Sequence, residues 1–171
     1  MRLWLDGGSA ASQHNNRNIL REPKSQHNLL RVPMLNRITA LLVLHNSDMF
    51  IRLQAVLQHL GVRVTHAESR AQTRRLLGVQ RPVPLVFTDT HLPDGTWADI
   101  LAVAEKAALP VNVIVVARVV NTRLYIETME AGAFDFLVPP FNATDLTHVI
   151  RCAADNVLRQ RATLPQADHA A

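Results

Sequence analysis

One cysteine, Cys152, stands in a chain of 171 residues, so an internal disulfide and a thiolate metal cluster are excluded and a reducing compartment is expected. Long hydrophobic runs are missing too. The longest, ALLVL (40–44) and VIVVA (113–117), fall far short of the roughly 20 residues that a membrane-spanning helix needs. The opening MRLWLDGG lacks the apolar core, roughly seven residues or more, of a secretory signal. A soluble cytoplasmic protein without a membrane partner is expected. No glycine-rich phosphate loop follows any apolar run, which removes the main sequence argument for a nucleotide binder or a small flavodoxin-like enzyme.

A basic footprint is also absent from most of the chain. The formal charge of +4 is carried entirely by residues 1–37, where Arg2, Arg17, Arg21, Lys24, Arg31 and Arg37 face only Asp6 and Glu22. From Ile38 onward the charges balance, so no nucleic-acid partner is expected for the globular part. Residues 1–37 show neither helical nor strand periodicity and read as a disordered basic tail. An arm for an acidic partner, a regulatory segment, or a true start at Met34 are the competing readings.

What is present is a sizeable apolar fraction, 48%, enough for one core. After Arg37 short apolar runs alternate with amphipathic stretches, the pattern of βαβ units and a parallel sheet. ITALLVL (38–44), VRVTHA (62–67), VPLVFT (83–88, ending at Asp89), VNVIVVA (111–117) and FDFLV (134–138) read as five strands. The helix over 48–61 places Phe50, Leu53, Val56, Leu57 and Leu60 on one face and stops at Gly61. Ser69 and Gln72 form a capping box for a short helix through Leu77. A turn at Leu92-Pro93-Asp94-Gly95 leads to a helix over 97–107, and Asn121 or Thr122 caps another that ends at Gly132. The last helix follows Asn142, with Leu146, Val149, Ile150, Ala153, Val157 and Leu158 inward, and frays past Arg161. The expected fold is a doubly wound five-stranded parallel α/β sheet with helices on both faces over 38–161. Residues 162–171 read as a second disordered tail, too short to fold alone. In such a fold any ligand site lies at the carboxyl ends of the strands, where Leu44, His45, Asp89, Ala117 and Pro139 converge.

From about Ile38 to Arg161 the chain resembles the receiver domain of bacterial two-component response regulators. DTHLPDG (89–95) matches the family's acceptor-Asp motif, and EAGAFDFLVPPF (130–141) matches its AGA-x-x-aromatic-x-x-Lys-Pro-Phe segment except at the lysine. The resemblance implies a flavodoxin-like sheet of order 2-1-3-4-5 and a phosphorelay signalling protein that is not itself an enzyme. It further implies a phosphoryl group passed from a histidine kinase to Asp89, with Mg²⁺ bound. The acidic pair that holds the metal falls on Leu44 and His45, or one residue later on His45 and Asn46. The strand-four Ser/Thr position is Ala117, the lysine position is Pro139, and the aromatic switch position is Phe136. An X-Pro bond that is commonly cis in the family falls at Pro139-Pro140.

Mg²⁺ wants an array of oxygen ligands that imidazole and isobutyl groups cannot supply, and Ala117 and Pro139 bring neither a hydroxyl nor a charge. The expectation is a degenerate, pseudo-receiver phosphoprotein homologue without a cofactor, acting by protein binding on a histidine kinase, another signalling protein or a second copy through the last strand and its helices. A working phosphoacceptor with atypical metal needs is the alternative. Asp89, His45 and His91 are candidate ligands for a transition metal, since His with carboxylate suits such ions better than Mg²⁺.

Overall fold

The computed structural model describes residues 35–45, 47–78 and 83–164; most of the N-terminal tail and residues 165–171 lie outside them. Five parallel strands form one sheet: β1 (Thr39–Val43), β2 (Arg63–Ala67), β3 (Leu85–Asp89), β6 (Asn112–Val116) and β7 (Asp135–Leu137). Their order is β2-β1-β3-β6-β7, the doubly wound order expected. Two further strands, β4 (His91–Leu92) and β5 (Gly95–Thr96), pair antiparallel as a small ribbon around Pro93-Asp94. The expected turn is therefore a hairpin, and His91 sits in its first strand.

The helices are α1 (Ser47–His59), α2 (Arg70–Leu77), α3 (Trp97–Glu105), α4 (Thr122–Glu130) and α5 (Ala143–Ala162). β3 and β6 are central strands covered on both sides, so every residue in them is buried and both read as continuous apolar runs. Side-chain alternation divides the core. Ala40, Leu42, Leu85, Phe87 and Ile114 meet Leu53 and Leu57 of α1 and Leu146 and Ile150 of α5 on one face. Leu41, Val43, Val86 and Val113 meet Ile100 and Ala104 of α3, with Leu77 of α2, on the other.

Local signals set most of the boundaries. Gly61 has φ +81° and Gly132 φ +96°, conformations that cost an L-residue and mark both as helix stops. Asn121 Oδ1 accepts from the Leu124 N–H at 3.0 Å and Asn142 Oδ1 from the Asp145 N–H at 2.8 Å, which fixes the starts of α4 and α5. The Ser69 box is half made: Ser69 Oγ accepts from the Gln72 N–H, but the Gln72 amide oxygen takes the Glu68 N–H instead of that of Ser69. A cap that the sequence reading missed is at Thr96, whose N–H donates to Asp99 Oδ2 at 2.9 Å.

Two expectations change. Leu158 is 59% exposed, because Leu146, Ile150, Ala153 and Val157 complete the inward stripe and residue 158 lies about 100° further round the helix. The fold also begins before Ile38: Leu35 is buried in the α1 and α5 core, and its carbonyl accepts from the Ile38 N–H.

Candidate functional site

β1, β3 and β6 run parallel in register, Val43 beside Thr88 and Asp89 beside Val116, so their carboxyl ends open at one edge. There a cleft of about 410 Å³ is lined by His45, Asp89, Thr90, His91, Ala117, Arg118, Val119, Asn121 and Leu124. Asp89 closes β3 and is 4% exposed. Its Oδ1 accepts from the Thr90 N–H at 2.7 Å and lies 3.3 Å from the Thr90 hydroxyl, and among the described residues the hydrogen bonds to this carboxylate fall on that oxygen. Ala117 is buried beside it, tied to the sheet by its N–H donating to the Leu137 carbonyl at 2.9 Å.

Of the residues singled out from sequence, the fold brings His45, Asp89, His91 and Ala117 into this cleft and keeps Leu44, Phe136 and Pro139 out of its lining. Leu44 is 2% exposed and packs in the core with Met49 and Leu53; it reaches only a neighbouring hollow of about 290 Å³ shared with His45, Phe50, His66 and Glu68. In that hollow the His66 ring meets Phe50 at a tilt of 41° with centroids 4.3 Å apart, and its Nε2 lies 3.3 Å from the Leu44 carbonyl. Phe136 is half-buried and meets Tyr125 edge to face, centroids 5.9 Å apart. The Pro139-Pro140 bond is cis, as its position suggested. Asn46, the alternative partner for His45, lies outside the described residues.

The cleft does not fit Mg²⁺. Its lining holds one carboxylate, Asp89, with the Thr90 hydroxyl, the Asn121 amide, two imidazoles, a guanidinium and apolar groups, a single anionic donor for an ion that demands near-octahedral oxygen. The transition-metal idea fares no better: His45, Asp89 and His91 share the cleft, but His91 is exposed with Nδ1 3.1 Å from the Thr90 hydroxyl. Among the described residues no group of three His, Cys, Asp or Glu is arranged to hold a metal ion. Sequence reasoning missed Arg118, a cation of the cleft wall two residues past the end of β6; its place directly behind Ala117 was the available signal.

The rim continues into an exposed apolar surface. Val119 is 70%, Val120 81%, Tyr125 46% and Ile126 47% exposed. Elsewhere the ribbon after Asp89 is anchored to α2, because Asp94 accepts from the Arg70 N–H at 2.7 Å and the Ala71 N–H at 3.1 Å. Those N–H groups hold the Asp94 carboxyl below the usual range. The Thr96 N–H, then Arg70 at 3.0 Å, does the same for Asp99. No helix among the described residues is long and apolar enough to cross a membrane.

The family model described as "Response regulator receiver domain" matches residues 40–151. Among curated proteins, the response regulator protein PilR of Pseudomonas aeruginosa is 28% identical over 119 residues, 70% of this chain and 26% of that protein. The chain thus spans about a quarter of the curated relative it matches. A receiver domain protein from Clostridium thermocellum superposes with a TM-score of 0.62 at 25% identity, covering 70% of this chain and 95% of that one. The signal receiver domain of an HD domain-containing protein from Pseudomonas fluorescens Pf-5 gives 0.66 at 25% identity, covering 75% and 95%.

Proposed function

This chain belongs to the response regulator receiver domain family of two-component systems, and from that premise we propose that it is a pseudo-receiver, a module that signals by protein binding without phosphorylation. Receiver domains work with histidine kinases and other signalling partners. The observation that carries the reading is the lining of the Asp89 cleft, where a single carboxylate stands with Thr90, Asn121, two histidines, Arg118 and Ala117, with Leu44 in the core. Phosphoryl transfer depends on positioning and charge neutralisation. Loss of a single preorganised donor typically costs about 10² to 10³ in rate, and here the hydroxyl and lysine positions are Ala117 and Pro139 together.

Binding then falls to the surface of α4 and β7, where Val120, Tyr125 and Ile126 are exposed beside the Tyr125-Phe136 pair. A histidine kinase, a second regulator or a second copy is the partner class, and no cofactor is required. One observation favours the alternative, a phosphoacceptor with atypical metal needs: Asp89 is retained at the end of β3 and faces an open cleft. Pull-down of histidine kinases and response regulators from the cell that makes the protein separates the two. Under the proposal Asp89→Asn retains its partners as the parent chain does, and Ile126→Asp loses them. Loss of partners in Asp89→Asn with retention in Ile126→Asp reverses the assignment.

A further inference from the structure

α2 and α3 pack side by side on the sheet face opposite α1 and α5, and between them runs a groove of about 540 Å³ that shares no residue with the Asp89 cleft. Small residues, Ala102 among them, line it together with Arg70, Arg74, Lys106 and Asp99. The groove is therefore cationic by two charges, three cations against one carboxylate. The balance inside it is uneven. Asp99 is already committed, holding Arg70 at 3.0 Å and taking the Thr96 N–H. Arg74 and Lys106 form no ion pair or side-chain hydrogen bond among the described residues. Both stand near helix C-termini, where a cation offsets the helix dipole; in the last turn of α2 Arg74 shares that role with Arg75. The walls are held in place by Asp94, whose carboxylate caps α2 from the ribbon.

We propose that this groove is a docking site for an acidic segment of a partner protein, laid over the small residues with its carboxylates on Arg74 and Lys106. A peptide suits an open, cationic groove; an enclosed apolar pocket would have suited a small molecule instead. The site adds a second contact to the chain, independent of the reading of the Asp89 cleft.

The test is fluorescence anisotropy of a labelled hexaglutamate peptide with the full chain at low salt, where surface charge is least screened. The peptide binds, its hexaglutamine counterpart does not, and Arg74→Ala with Lys106→Ala weakens binding by about tenfold or more. Arg52→Ala, an exposed cation on α1, leaves the affinity unchanged, and amide shifts on binding map to Ala102 and Gly78. Thermal melts of the double variant confirm that it is folded; should it unfold, charge-reversing Lys106→Glu alone replaces it. Equal binding by the double and parent chains, absence of binding at low salt, or tighter binding of a single-stranded oligonucleotide that shifts the same amides overturns the proposal.

Discussion

Replacing Leu44 by Asp restores the first half of the family's acidic pair and shows why this chain cannot recover it by one change. Leu44 is 2% exposed and packs against Met49 and Leu53. Truncating such a leucine to alanine costs about 2–5 kcal/mol, and a carboxylate put in its place must also stay protonated or be desolvated, which adds about 1–3 kcal/mol. The total is a large share of the roughly 5–15 kcal/mol that holds a domain folded. Urea unfolding followed by circular dichroism measures it, with Leu44→Ala separating lost packing from charge. Leu44→Asp is expected to unfold at a clearly lower midpoint than Leu44→Ala in EDTA. A site rebuilt with His45→Asp as well regains stability with Mg²⁺, by about 2.7 kcal/mol at a hundredfold excess over Kd, whereas the parent chain shows no Mg²⁺ response. If Leu44→Asp costs less than about 1 kcal/mol, or if the parent midpoint rises with Mg²⁺, the assignment of Leu44 to the core side of the site is refuted.

Other consequences concern the scaffold. Asn112 is 8% exposed and its Nδ2 donates to the Ala153 carbonyl at 2.8 Å and to Asn156 Oδ1 at 3.1 Å; Asn112→Ala is expected to lose about 1–3 kcal/mol in urea unfolding, and an unchanged midpoint would show that this clamp between β6 and α5 is idle. Asp94 and Asp99 both have carboxyls held below the 3.8 of a free Asp, chiefly by the N–H groups of Arg70 and Thr96 respectively. Their contribution is present above that value and fades as pH falls through the lowered folded pKa values. Asp94→Asn is expected to flatten the loss of melting temperature on acidification, and a slope equal to the parent's would contradict the α2 anchor.

The legible part of this fold was the part that periodicity controls. β3 and β6, covered on both faces, read as unbroken apolar runs, and Gly61 and Gly132 announced their positive φ by standing at helix ends. The β4-β5 ribbon went unread because two-residue strands have no period, and Leu158 was misplaced because adjacent positions of a helix end share a hydrophobic signal while only one faces inward. The convergence of His45, Asp89 and Ala117 followed from topology alone, whereas Leu44 and Pro139, placed at the same edge by that argument, stay out of the cleft lining. That Leu44 turns into the core, and that Arg118 joins the cleft wall, depended on how the chain leaves β1 and β6, which side-chain chemistry does not encode locally. The charge asymmetry of the α2-α3 groove was equally hidden, since Arg74 and Lys106 are far apart in sequence.

The most direct measurement is the intact mass of the full chain after incubation with acetyl phosphate and Mg²⁺. The account predicts an unmodified chain, because the cleft gathers one carboxylate and neither a hydroxyl at Ala117 nor an amine at Pro139. A stoichiometric single-phosphoryl adduct that disappears in Asp89→Asn would contradict it.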